Sequence, residues 1–365
     1  MISFCQGGTG SKTWSGAWGD LRPGSGLANL FKGDTLRPEV RVVRKRTRLA
    51  IFLTLNALLV TGGLAWQIVP RRDPVAASFL PQSSNGEHGV GTRRAWAGLN
   101  KSRLTLRSNA ALVADQGTGE VLFEKDADRV TSIASITKLM TAMVVLDARL
   151  PMNEPVTVTQ DDVDTLRNSL SRLPVGWTLT REELLRLALM ASDNRAASAL
   201  ARTFPDGAEA FVAAMNAKAS ALGMGHTRFV DPHGLHAEDA ATARDLLLMV
   251  NAACGYPTIR RMTTTPSYTA VSLDSGRSRT FGNSDYLVAS EGWVVGLSKT
   301  GFINESGYCL VLQATIMERP VVMVFLDSVG KHSRQGDAAR VRAWLEAGAG
   351  DMALGKRSTG GQGAG

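Results

Sequence analysis

Twenty-one residues, Leu49–Val69, form an apolar run interrupted only by Thr54, Asn56, Thr61 and Gln67, and this run divides the chain. As a helix it would span about 30 Å, the hydrocarbon thickness of a bilayer. Arg41, Arg44, Lys45, Arg46 and Arg48 immediately precede it, and such a basic flank stays on the cytoplasmic side. The segment 41–70 therefore reads as a signal peptide or a membrane anchor. Val75-Ala76-Ala77 offers small residues for processing, but Arg71 and Arg72 lie between them and the apolar core; cleavage and retention both stay open. Whatever folds must be built downstream of this run, in the periplasm or on the outer face of the cytoplasmic membrane.

Charge follows the same division. The net charge is +8, yet residues 1–48 carry +6 and 71–107 carry +5, leaving about −3 for 108–365. The basic excess flanks the apolar run and belongs to membrane orientation. A basic groove for nucleic acid is excluded on that distribution, because the folding part of the chain is not basic. Residues 1–40 are Gly-rich and aperiodic, and read as a disordered tail or an over-extended start. Residues 71–107 are a basic linker, and 349–365 a flexible Gly-rich tail. A single domain of about 240 residues, 108–348, remains. Export permits a disulfide between Cys254 and Cys309, although two isolated cysteines in so large a domain more often serve as small buried hydrophobes.

Within the domain, Ala110–Ala114 and Val121–Glu124 flank Asp115-Gln-Gly-Thr-Gly119, a hairpin signal. The spacing predicts a helix over about Ser135–Ala148, apolar at Leu139, Met143 and Leu146. Thr180-Arg-Glu-Glu183 is a capping box opening a helix to about Ala191, and Thr242-Ala-Arg-Asp245 opens another. Trp293–Lys299, Cys309–Thr315 and Val321–Leu326 read as strands, with a turn at Glu318-Arg319-Pro320 and a closing helix around Ala338–Ala347. Strands at both ends with helices between imply an α/β fold: an antiparallel sheet assembled from the termini, flanked by helices, with an all-helical subdomain inserted.

Three short motifs occur in order: Ser135-Ile-Thr-Lys138, then Ser192-Asp-Asn194 57 residues on, then Lys299-Thr-Gly301 107 beyond that. A second S-x-x-K, Ser328–Lys331, and a second S-x-N, Ser83–Asn85, show how little either means alone. Order and context give the set its weight: Ser135 opens a helix, Ser192 follows one, and Lys299 ends a strand. On a helix i and i+3 share a face, so Lys138 lies beside Ser135. The helix dipole favours negative charge on the Ser135 oxygen. A lysine serves as base only when it can be neutral near pH 7. Burial and a second cation both lower its pKa, and Lys299 is placed to supply that cation. Ser192 can relay a proton between Lys138 and a leaving amine, and Asn194 offers an amide to a substrate backbone.

These residues resemble the motif set of penicillin-binding proteins and class A β-lactamases. The flanking segments Ser132-Ile-Ala-Ser-Ile-Thr-Lys-Leu-Met-Thr141, Leu222-Gly-Met-Gly-His-Thr-Arg-Phe-Val-Asp-Pro-His-Gly-Leu235 and Lys299-Thr-Gly-Phe-Ile narrow the likeness to the low-molecular-mass D-alanyl-D-alanine carboxypeptidases and endopeptidases. The resemblance implies a β-lactamase-like fold with a cleft between sheet and helical subdomain. It implies Ser135 as acylated nucleophile, Lys138 as base, and Ser192 and Asn194 completing the proton network. Lys299, Thr300 and Gly301 would engage the substrate carboxylate, the amides of Ser135 and Phe302 would form an oxyanion hole, and Asn283 would lie near the cleft. Peptidoglycan stem peptides and cross-links are the implied substrates, β-lactams the covalent inhibitors, and no cofactor is implied. The short extent of chain beyond the catalytic domain, and Gly307-Tyr-Cys-Leu-Val311 after the third motif, point to the endopeptidase branch.

Two rivals use the same acylation site: a class A β-lactamase and a non-hydrolytic β-lactam sensor. The former adds a Glu-x-x-x-Asn element, and none of Glu209, Glu238 or Glu291 has Asn four residues later. The latter needs a signalling partner domain, for which residues 1–40 show no fold. A metal reading rests on His233-Gly-Leu-His236 with Asp231, Glu238 and Asp239, where a three-residue His spacing suits a helix better than a Pro/Gly loop.

Overall fold

The computed structural model describes Trp96 and residues 98–359, with side chains to residue 348. The 49–69 run, residues 1–40 and most of the linker lie outside the described residues. Strand β1 (Ser108–Asp115) turns into β2 (Val121–Lys125) around Asp115, whose Oδ1 accepts the Gly117 and Thr118 amides at 2.9 and 3.0 Å. Near the other end come β3 (Val294–Ile303), β4 (Gly307–Ile316) and β5 (Arg319–Ser328). The five form one antiparallel sheet in the order β2-β1-β5-β4-β3. The first strand thus pairs with the last, from Ser108 opposite Ser328 to Asp115 opposite Val321, which closes the sheet across the inserted helices.

Those helices are α1 (Lys138–Asp147), α2 (Arg181–Met190), α3 (Asn194–Arg202), α4 (Gly207–Ala221), α5 (Ala243–Cys254) and α6 (Pro257–Thr263). Thr180 and Glu183 cap α2 reciprocally, and Thr242 caps α5 through the Asp245 amide, as the sequence requires. The inserted region is not purely helical. Short ribbons join Pro155–Thr157 to Thr178–Thr180 and Thr131–Ser132 to Ala240–Ala241, and a hairpin pairs Ser267–Val271 with Ser278–Gly282. Helix α7 (Ser333–Thr359) starts earlier than 338, and its backbone runs past residue 348.

Alternation along the central strands builds two cores. Leu112, Val311 and Val324 lie on the face that meets α5, in a core that also holds α1 and α2, while Val113, Leu312 and Phe325 face Ala338, Val341 and Leu345 of α7. With both faces covered, β4 and β5 read as continuous apolar runs instead of alternating ones. The β4–β5 turn falls at Met317–Glu318, both with positive φ, a two-residue hairpin geometry matched to strand twist. That places the turn before Arg319-Pro320, which opens β5. Cys254 and Cys309 are free thiols, the latter fully buried.

Helix α7 is fastened to β1 by Asp337, fully buried, which accepts the Arg107 amide at 3.0 Å, the Ser108 amide at 2.8 Å and the Ser108 hydroxyl. Asp337→Ala strands those donors beside Arg340. A loss of about 2–4 kcal/mol in urea unfolding is expected; a loss below about 1 kcal/mol would show that the fastening contributes little.

Candidate active site

The segment carrying Ser135 is a 3-10 turn, Ala134–Thr137, that passes into α1 at Lys138. In 3-10 geometry residues i and i+3 eclipse one another, so Ser135 and Lys138 are superposed more closely than in a regular α-helix. The Thr137 hydroxyl closes the turn on the Ala134 carbonyl at 2.8 Å. Lys138 is completely buried, and its Nζ donates to Ser135 Oγ at 2.8 Å, Asn194 Oδ1 at 2.7 Å and the His233 carbonyl at 2.6 Å. An ammonium has three protons and no acceptor; here each has a partner. The Ser135 hydroxyl donates to the same His233 carbonyl at 3.3 Å.

Ser192 occupies the break between α2 and α3. Its φ of +58° is left-handed, a conformation common just past a helix C-terminus but usually taken by Gly. The Ala191 and Asp193 amides both reach the Leu187 carbonyl at 3.1 Å, and Asp193 then caps α3 through the Ala196 amide. Held this way, Ser192 Oγ accepts from Lys299 Nζ at 2.8 Å. Asn194, at the start of α3, donates from Nδ2 to Ser169 Oγ at 2.8 Å while its Oδ1 holds Lys138.

Lys299 does not end its strand: β3 continues through the third motif to Ile303. Because β3 is the sheet edge, its free side faces the Ser135 turn. A Cβ on Gly301 would come within 2.8 Å of the Ile133 carbonyl and 3.2 Å of the Ser135 amide nitrogen, so glycine is what lets strand and turn touch. Lys299 is buried and also donates to its neighbour's carbonyl, Thr300 O, at 2.8 Å. The Thr300 hydroxyl donates to Ser284 Oγ at 2.8 Å. Phe302, half exposed, stacks on Tyr308 with centroids 4.3 Å apart.

The residues of the three motifs are therefore brought together, but Asn283 is not. Its amide donates to the Thr263 and Thr265 carbonyls, both at 2.9 Å, and its Oδ1 accepts the Asp285 amide. It fixes the loop, and its neighbour Ser284 reaches the site instead. Sequence reasoning also missed Ser169, the His233 carbonyl, and Arg334, which donates to the Gly301 and Cys309 carbonyls at 2.5 and 3.1 Å. The loop text around His233 carried a signal; Arg334 carried none.

Burial lowers the Lys138 ammonium to about 8, against an opposing pull from Asp231, Asp193 and Asp239. Burial likewise holds Lys299 well below its ordinary value, reinforced by the charges of Lys138 and Arg334. The repulsion between the two ammoniums is mutual, and at Lys138 the neighbouring carboxyls, Asp231 foremost, oppose the fall.

The loop that presents the His233 carbonyl is wound on Asp231. Its carboxylate accepts the amides of His233 (2.7 Å), Gly234 (2.5 Å), Leu235 (3.0 Å) and His236 (2.8 Å), and His233 Nδ1 lies 2.9 Å away. Gly234, φ +79°, fits because a Cβ there would collide with the Ala134 carbonyl. Burial and the Asp231 charge both push the Asp239 carboxyl up from its ordinary value. Of the groups considered for metal, Asp231, Asp239 and the His233 ring are engaged in this loop, whereas Glu238 pairs with Arg228 at 3.3 Å and the His236 side chain is exposed.

Residues 98–330 match the D-alanyl-D-alanine carboxypeptidase family, peptidase S11. A D-alanyl-D-alanine endopeptidase of Pseudomonas aeruginosa is 47% identical over 243 residues, 67% of this chain and 78% of the relative. One of Escherichia coli is 40% identical over 274 residues, 75% and 86% of the two chains. The crystal structure of the Streptomyces K15 DD-transpeptidase superposes with a TM-score of 0.62 at 30% identity, covering 67% of this chain and 98% of that one. With its serine-lysine pair on the same fold and two-thirds of its length matched, the chain belongs to the D-alanyl-D-alanine carboxypeptidase family of serine peptidases.

Proposed function

We propose that the chain cleaves D-alanyl peptide bonds in peptidoglycan cross-links through an acyl-enzyme on Ser135, and that β-lactams acylate the same oxygen. One observation carries the reading: two buried lysines each sit 2.8 Å from a serine hydroxyl, Lys138 on Ser135 and Lys299 on Ser192. A lysine lowered to about 8 is neutral in a usable fraction near pH 7.

In the proposed reaction neutral Lys138 takes the Ser135 proton as Oγ bonds to the D-alanyl carbonyl carbon. The Ser135 and Phe302 amides receive the developing oxyanion. The C–N bond then breaks, the leaving amine taking a proton delivered from Lys138 through Ser192. Water, deprotonated by Lys138, releases the ester. Asn194 holds the substrate backbone, while Lys299, with Thr300 and Gly301 on the β3 edge, meets the carboxylate beside the scissile bond. The endopeptidase names of the two relatives support the cross-link as substrate. The basic flank of the 49–69 run supports action in the periplasm or on the outer face of the cytoplasmic membrane, anchored there if that segment is retained.

Ser135→Ala abolishes labelling by fluorescent penicillin; label retained elsewhere on the chain would overturn the assignment. Because the neutral amine is the base, the second-order acylation rate should climb about tenfold per pH unit below pH 8 and level off above it. A flat profile from pH 6 to 8 would remove Lys138 from that role. With cross-linked peptidoglycan, mass analysis should show dimeric muropeptides split to monomers. Monomers shortened by one alanine, with dimers intact, would instead mark a carboxypeptidase.

A further inference from the structure

Beside Ser192 lies a recess of about 160 Å³ lined by Leu170, Arg172, Asp193, Phe281 and Gly282. A second, of about 640 Å³, is lined by residues 174–177 on one side and by Arg277 and Arg279 on the other. The two adjoin, since Arg279 of the second donates to the carbonyl of Arg172 in the first at 2.5 Å. Leu170 is wholly exposed at the first recess, and the Arg172 guanidinium lies 5.6 Å from the Phe281 ring. Asp193 is engaged by Ser171 and the Ala196 amide, and Asp274 by Ser272. Among the described residues no carboxylate lies within ion-pair distance of Arg172, Arg277 or Arg279, whereas Arg129, Arg244 and Arg342 each have an acidic partner and the exposed Arg107 and Arg260 do not. The groove leading away from Ser192 is therefore cationic, with an apolar side chain at its mouth.

We propose that this groove, between the 170–177 loop and the 267–282 hairpin, binds the free carboxylates of a peptide strand extending from the scissile bond, with Arg172 and Arg277 as its anionic subsites. The proposal rests on the cross-link reading and adds to it the surface that holds the strand beyond the reacting residues. Planar guanidinium forks suit carboxylates, and exposed pairs of this kind give modest, salt-sensitive affinity that favours one strand chemistry over another.

Binding can be separated from hydrolysis in the Ser135→Ala protein. Anisotropy titrations would use a fluorescein-labelled muropeptide dimer and the same dimer with its free carboxyls amidated. The acid form should bind more tightly, and the double substitution Arg172→Ala with Arg277→Ala should shrink that advantage roughly fivefold. Lysine at both positions should restore most of it. An advantage unchanged within about twofold, or an equal loss for both ligands, would overturn the groove assignment. Hydrolysis of the dimer by the unaltered protein is read independently, so failure of the cross-link reading and failure of the groove give different results.

Discussion

A fully buried ammonium dominates this structure. Removing a charged amine from water is costly unless every proton finds an acceptor, and Lys138 finds three, on the turn before α1, at the start of α3 and in the 231–239 loop. Three segments distant in sequence are thereby held to one point. The loop could not serve without Asp231, because a carbonyl aimed at an amine is useful only if the backbone behind it is fixed. Four amides wound on one carboxylate fix it.

The sheet supplies the other half. An edge strand has one row of backbone groups without a sheet partner, and β3 turns that side toward the Ser135 turn. Gly301 permits the contact, and Arg334 ties down its carbonyl from α7. Ser192 completes the arrangement from the helical side in a left-handed conformation that costs about 1 kcal/mol or more in a non-glycine residue. A glycine there would relax the backbone but remove the hydroxyl that receives Lys299. The strain is tolerated where the side chain is needed.

Much of this was legible beforehand. The capping box at Thr180 and the N-cap at Thr242 marked helices because their geometry is local, and the apolar runs of β4 and β5 marked strands. The three motifs located Ser135, Lys138, Ser192, Asn194, Lys299 and Thr300 because their residue types are chemically restrictive. What escaped depended on distant contacts. Asn283 was singled out on its flanking text, yet its amide is spent on Thr263 and Thr265, and only the folded chain puts Ser284 against Thr300. Lys299 was expected to finish a strand, but a Gly after a Lys-Thr pair does not announce a close approach instead of a break. Arg334, thirty-five residues past Lys299, has no sequence signature at all.

The balance of charge around the two lysines was also invisible, because it depends on groups that only the fold brings near. Burial drives both ammoniums toward neutrality and their mutual repulsion adds to it; at Lys138 the Asp231 charge opposes the fall, and at Lys299 only Asp285 does. Charge pairing therefore does not hold these amines in place. Each is fixed by hydrogen bonds, Lys138 to the Ser135 hydroxyl and the His233 carbonyl, Lys299 to the Ser192 hydroxyl and the Thr300 carbonyl, and such contacts survive when an amine gives up its charge.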